Sequence, residues 1–174
     1  MRLKPQDIVV LLKLALHEGR PWTYAVLAQE LGISPSELHS AIRRSLQAGL
    51  LGPDRRPNRT SLLEFLIHGL KYAFAPERGG VGRGVPTAHA APPLAGQISS
   101  EGELPPVWPD PNGSVRGEAL KPLFKSAPRA ALNDPKLYEC LALLDALRVG
   151  RARERKLATE YLQQLLGHGG REAA

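Results

Sequence analysis

The chain has 174 residues, with 23 Lys or Arg against 17 Asp or Glu and a net charge of +6 at pH 7. That length suits one compact domain or a small domain carrying an extension, and the basic balance favours an anionic partner without identifying it. The one cysteine, Cys140, excludes an internal disulfide and a thiolate metal cluster, which points to a reducing, cytoplasmic setting.

The opening "MRLKPQDIVVLLKLAL" is apolar, but Asp7 and Lys13 interrupt it and nothing resembling a cleavage site follows, so it predicts a helix and not a secretory leader. No uninterrupted apolar run reaches the length of about 18 residues that spans a bilayer, so no membrane partner is expected. After it, Thr23 caps a predicted helix running to about Leu31, with Val26, Leu27, Ala28 and Leu31 facing inward. Gly32 stops that helix by allowing a left-handed turn, and Ile33 can plug the gap between two crossing helices. In "SPSE", Ser34 is an N-cap, Pro35 the first helical residue and Glu37 the reciprocal partner of a capping box.

On that second helix, a spacing of about 100° per residue puts Leu38, Ala41, Ile42, Ser45 and Gly49 on the inner side, with Leu46 at its margin. Opposite them runs a stripe of Ser36, Ser40, Arg43 and Gln47, flanked by His39 and Arg44. Small hydroxyl residues near a helix N-terminus permit close approach to a DNA groove, and an arginine further along reaches guanine edges or phosphates. A solvated outer face has the same pattern. Next, "GPDRRPNRT" brings together Arg55, Arg56 and Arg59 at an exposed turn. Thr60 is then expected to cap a helix from Ser61 to Phe74, with Leu62, Phe65, Leu66, Gly69, Leu70 and Phe74 packing on the earlier helices.

From about Pro5 to Leu51, the segments "LAQELGIS", "L..AI..L" and "AGLL" resemble the helix-turn-helix of winged-helix bacterial regulators such as the MarR-like group. The resemblance implies a supporting helix, a recognition helix and an exit into a basic wing. It implies contact with double-stranded DNA through Ser34, Ser36, His39, Ser40, Arg43, Arg44 and Gln47, with Arg55, Arg56 and Arg59 at the backbone or minor groove. The chain departs from the group after "GLL", where the second wing strand is missing and a helix is expected in its place. Winged helices also serve as protein-interaction modules.

From Ala75 to about Pro128, prolines and glycines recur every few residues, which leaves room for short strands, turns and extended chain. The Gly-rich "RGGVGRG" lacks the strand, helix and Lys-Ser or Lys-Thr ending of a phosphate cradle and reads as a hinge or turn. Extended chain here is expected to lie across helices with Trp108 as an anchor, packing within the chain or holding another protein. In "NDPKLYECLALLDALR", Asn133 or Asp134 caps a helix with Pro135 first, carrying Leu137, Leu141, Leu144 and Leu147 on one face, with Cys140 as buried filler. Gly150 ends it, and a second segment carries Leu157, Tyr161, Leu162 and Leu165 before a fraying tail. Arg148, Arg151, Arg153, Arg155 and Lys156 lie around the junction. They suit pairing with Asp145, Glu139 or Glu160, a second phosphate-contacting patch, or an acidic protein partner.

The histidines are scattered singly and no nucleophile, base and orienter occur at readable spacing, so no metal, cofactor or enzymatic activity is expected. The sequence therefore predicts a mainly α protein: a winged-helix-like helix-turn-helix domain over 1–74, a Pro/Gly-rich extended segment over 75–130 and C-terminal helices over 131–167. The expected function is sequence-specific DNA binding as a dimeric repressor, with the Ser61 to Phe74 helix and the C-terminal pair as dimer seams. The alternative is a protein-interaction module, such as an antitoxin-like partner of another protein.

Overall fold

The computed structural model describes residues 1–17 and 19–167; the expected fraying of the tail falls largely on 168–174, outside them. Three helices open the chain: α1 (Pro5–Leu16), α2 (Tyr24–Leu31) and α3 (Pro35–Gln47). Their ends follow local chemistry. Thr23 Oγ1 accepts from Val26 N–H at 3.2 Å, Gly32 adopts φ 66° at the end of α2, and Ser34 and Glu37 complete the reciprocal capping box at 3.1 and 2.8 Å. Those capping bonds, led by the one from the Ser34 backbone N–H, hold the Glu37 carboxyl below its usual range. A side chain at Gly32 would have to adopt that left-handed φ and would meet Ser126 Cβ at 3.2 Å, so the turn and its packing both favour glycine.

Beyond α3 the chain makes a short hairpin, with Asn58 N–H donating to Leu50 O, Gly52 N–H to Arg56 O, and one antiparallel bridge between Leu51 and Pro57. The expected single helix from Ser61 to Phe74 is instead two, α4 (Arg59–His68) and α5 (Leu70–Ala73), divided at Gly69. Asn58, not Thr60, is the cap, its side chain accepting from Ser61 N–H at 3.2 Å. Leu62, Leu66 and Leu70 are buried, as their spacing predicts.

The middle segment folds into β1 (Arg78–Pro86), a 3-10 turn at Ala88–Ala90, β2 (Pro106–Pro109) and β3 (Val115–Leu120). "RGGVGRG" is thus strand, not hinge. β1 runs antiparallel to both other strands, which are parallel to each other, and the three close into a small barrel. Closure needs backbone to approach backbone: a Cβ at Gly84 would collide with the Trp108 carbonyl, and one at Gly117 with that of Pro105. The remaining helices are α6 (Ala127–Leu132), which the sequence reading did not anticipate, α7 (Pro135–Val149) and α8 (Ala152–Leu166). Asp134 caps α7 by accepting from Leu137 N–H at 3.2 Å, and Gly150 ends it.

One apolar cluster runs from Ile8 to Leu166 and draws on all three sequence segments. At its centre α7 is buried on almost every side, touching α1, α5, α6, α8 and the 3-10 turn. Cys140 lies fully buried within it, and burial pushes its thiol up to about 12, so it is inert filler. Trp108, 1% exposed, anchors the barrel by donating from Nε1 to Asp145 Oδ2 at 2.8 Å, and Thr87 Oγ1 donates to the same oxygen at 2.6 Å. Arg148 pairs with Asp145 at 3.0 Å, as expected, and also donates to the carbonyls of Phe74 and Ala75. Arg151 pairs with Glu103 at 2.9 Å. Helix covers 52% and strand 13% of the described residues, so the fold is mixed, with helix predominant. Among those residues, no helix is long and apolar enough to cross a membrane.

Candidate nucleic-acid interface

The placement of α3 rests on a buried ion pair that the sequence reading misassigned. Arg44 donates from Nε and a terminal nitrogen to both oxygens of Asp7, each at 2.7 Å, with the carboxylate fully buried. Asp7 also accepts from Lys4 N–H at 2.8 Å and so caps α1 while docking α3. A bidentate, water-excluded pair fixes both rotation and translation of a helix. The hydrogen bonds that Arg44 donates to Asp7 raise its pKa above the ordinary arginine value. Arg44 therefore belongs to the core and is withdrawn from the DNA-contacting set.

With the inner side of α3 held by Asp7 and by buried Leu38, Ala41, Ile42 and Ser45, the opposite face is left to solvent. Ser36, Arg43 and Gln47 are exposed and Ser40 is half-buried. They stand along one stripe, as the spacing predicts. Ser34 is occupied by its capping bond to Glu37 N–H. His39 is exposed, but its ring is already stacked on Tyr24, with centroids 3.8 Å apart and planes within 6°.

Tyr24 is the central residue that sequence reasoning missed. Trp22 meets its ring edge-on at 5.2 Å, and Arg55 lies over it at 5.3 Å while donating to its hydroxyl. Cation–π contact and hydrogen bond together hold the hairpin tip against α2, and through His39 against the outer face of α3. Arg55 takes φ 63°, a left-handed conformation that a non-glycine residue keeps only where its surroundings enforce it. The guanidinium of Arg55 is thus a latch on Tyr24. Its neighbour Arg56 is exposed and reaches within 3.9 Å of where a Gly19 side chain would begin, which brings it to the loop that also carries exposed Arg20. The sequence signal for the ladder was "WTY" at the start of α2, aromatic residues placed where the helix is too short to bury them.

Arg59 is the second correction. It lies at the base of the hairpin, not its tip, and donates to the carbonyls of Ala15 and Leu166, both at 2.8 Å. Binding those helix C-termini engages both of its terminal nitrogens and turns the guanidinium away from the tip. The open cations of this face are therefore Arg43 and Arg56, with Arg55 and Arg20 partly engaged, Arg20 through a bond from its Nε to the His17 carbonyl. No group of three His, Cys, Asp or Glu side chains among the described residues could hold a metal. No protein-family model matches the chain, and comparisons with curated proteins and with solved structures returned no match.

Proposed function

We propose that the chain is a sequence-specific DNA-binding transcriptional regulator, a dimeric repressor in which α3 enters the major groove and the hairpin tip lies on the flanking backbone. The observation that carries this is the Arg55–Tyr24–His39 ladder, which sets the basic tip beside the solvent-facing stripe of Ser36, Ser40, Arg43 and Gln47. In this reading Arg43 reads a base edge, the serines let the helix sit close, and Arg56 grips phosphate. Pairing across a two-fold axis supplies the site length that one helix lacks. The helices expected as dimer seams pack on each other inside the chain, α4 on α8 and α5 on α7. The pairing surface of the proposed dimer therefore includes residues such as Tyr72, 76% exposed.

The test begins by selecting duplexes from a random pool. An enriched sequence is expected, and Arg43→Ala should weaken binding to it by about 1–3 kcal/mol while Arg56→Ala weakens all duplexes alike. Failure to enrich any sequence, or an Arg43→Ala protein that folds and binds as the parent does, overturns the reading. Light scattering that shows only monomer removes the dimer. A protein-interaction module is the second reading, favoured by Val26 and Leu46, 50% and 36% exposed on α2 and α3. For that reading, Val26→Ser would abolish partner capture and leave DNA binding unchanged.

A further inference from the structure

On the outer face of the small barrel, Arg83 of β1 stands directly opposite Arg116 of β3. The Arg83 carbonyl accepts from Asp110 N–H, on the β2 side of the strand. Arg83 and Arg116 therefore form a non-hydrogen-bonded pair across β1 and β3, the arrangement that brings opposed side chains closest. Like charges in that position destabilise a sheet. Both side chains are exposed, and neither guanidinium has a hydrogen bond or ion pair among the described residues. The acids on the same strand pair and its flanks are engaged elsewhere: Glu118 with Arg78 at 3.7 Å, the Asp110 carboxylate with the backbone N–H of Asn112 at 2.9 Å, and, at the far end of β1, Glu77 with Lys121 at 3.1 Å.

A second, separate observation comes from β1 itself. Nothing lies within 4 Å of where a side chain would begin at Gly80 or Gly82, and neither has a left-handed φ. Gly80 falls where the β1–β3 register shifts between Arg78 and Val81, which accounts for it as a bulge residue, whereas packing and backbone conformation leave glycine unexplained at Gly82. Glycine in a strand weakens it, and where the fold does not demand it, it marks the close approach of a ligand or another backbone. The strand is stripped beside an uncompensated pair of guanidiniums.

We propose that Arg83 and Arg116 form a phosphate-binding site that grips one backbone phosphate of a nucleic acid, independently of base sequence. The planar forks of two arginines suit a single phosphate, which offers several acceptor oxygens to both. The proposal rests on nucleic acid being the partner, but uses none of the residues of α3 or the hairpin.

The experiment follows the side-chain Nε–Hε signals of Arg43, Arg83 and Arg116 by NMR in the full chain. It titrates inorganic phosphate and, separately, a short duplex of random sequence, at ionic strength held constant with chloride. The expected result is that Arg83 and Arg116 signals move with both probes, and that the log–log salt slope of duplex binding falls by about 0.9 in Arg83→Gln/Arg116→Gln, as for one lost phosphate contact. Arg83→Gln also relieves the like-charge opposition, so it should melt no lower than the parent without phosphate and lose the phosphate-dependent rise in melting temperature. Movement with phosphate but not with duplex assigns the site to a small phosphate compound and overturns the backbone contact. Silence of Arg83 and Arg116 while Arg43 responds overturns the barrel site and leaves the α3 reading standing, whereas the reverse pattern sinks α3 alone.

Discussion

Two regions of the molecule each hang on one buried aspartate, and they use it differently. Asp7 gives both oxygens to a single partner, Arg44, 37 residues away, so the pair acts as a pin between two helices. Asp145 collects donors from three places: Thr87 after β1, Trp108 in β2 and Arg148 one turn along its own helix. It is a node. The difference in partner number teaches what each can survive, because a two-member pair can be replaced as a unit and a four-member cluster cannot.

The largest expected effect follows from the node. Asp145→Ala leaves Thr87 and Trp108 without their acceptor in the core and Arg148 without its ion-pair partner, held only by the carbonyls of Phe74 and Ala75, and should lower stability by about 3–5 kcal/mol in denaturant unfolding. Burial pushes the Asp145 carboxyl above its usual range despite its three donors. The folded state thus holds that proton more tightly than the unfolded chain. Its contribution is full below the unfolded carboxyl range and is lost as pH rises through the folded value, so the parent's stability relative to Asp145→Asn should fall with rising pH in that interval. A gap that widens instead would contradict the assignment.

Asp7→Ala should cost about 3 kcal/mol, since Arg44 is then buried alone. Here the comparison sharpens: Asp7→Leu combined with Arg44→Met should return to within about 1 kcal/mol of the parent. Asp145→Leu with Arg148→Met should not, because Trp108 Nε1 and Thr87 Oγ1 remain unpaired. Equal recovery of both double variants in urea melts would erase the distinction between pin and node.

Much of the helical part of both regions was legible because its signals are local. Thr23, Ser34, Asp134 and the prolines at helix starts act on backbone groups a few residues away, and all appear where spacing placed them. Arg44 was misread because a helical wheel shows only that it flanks the inner face; its partner lies 37 residues upstream. Asp7 looked like an interruption of an apolar run when it was the anchor of another helix. Arg59 sits two residues after the bridge residue Pro57, and sequence shows no difference between a tip and a base. The barrel was obscured because Gly79, Gly80, Gly82 and Gly84 erase the alternation by which a strand is recognised, so its register rests on long-range closure.

Smaller effects test the local signals. Gly32→Ala combines a left-handed φ with a tight approach to Ser126 and should cost about 1–2 kcal/mol, read from a urea melt. An unchanged midpoint would mean that the turn relaxes. The smallest change is expected at the bond between the two regions, where Lys13 donates to Asp134 at 2.6 Å. Burial opposes the ionised form of Asp134, but the hydrogen bond from Lys13 and those from backbone N–H groups outweigh it and hold the carboxyl below its usual range. Its stabilisation is therefore present above the unfolded carboxyl range and lost as pH falls through the folded value, opposite in sign to Asp145. Asp134→Asn should flatten the acid side of the stability profile, and a profile identical to the parent's would argue against the bond.

Arg59 carries a consequence for the order in which the chain is made. Its guanidinium closes the end of α1 and the end of α8 together, so the base of the hairpin waits on a carbonyl made 107 positions later. As the chain leaves the ribosome, α1 to α4 can form their caps at once, but the face holding Arg56 acquires its final support only when residue 166 is released. Completion of this face is thereby tied to the synthesis of α8, and a nascent chain halted within α7 would present the stripe of α3 on an unfinished footing.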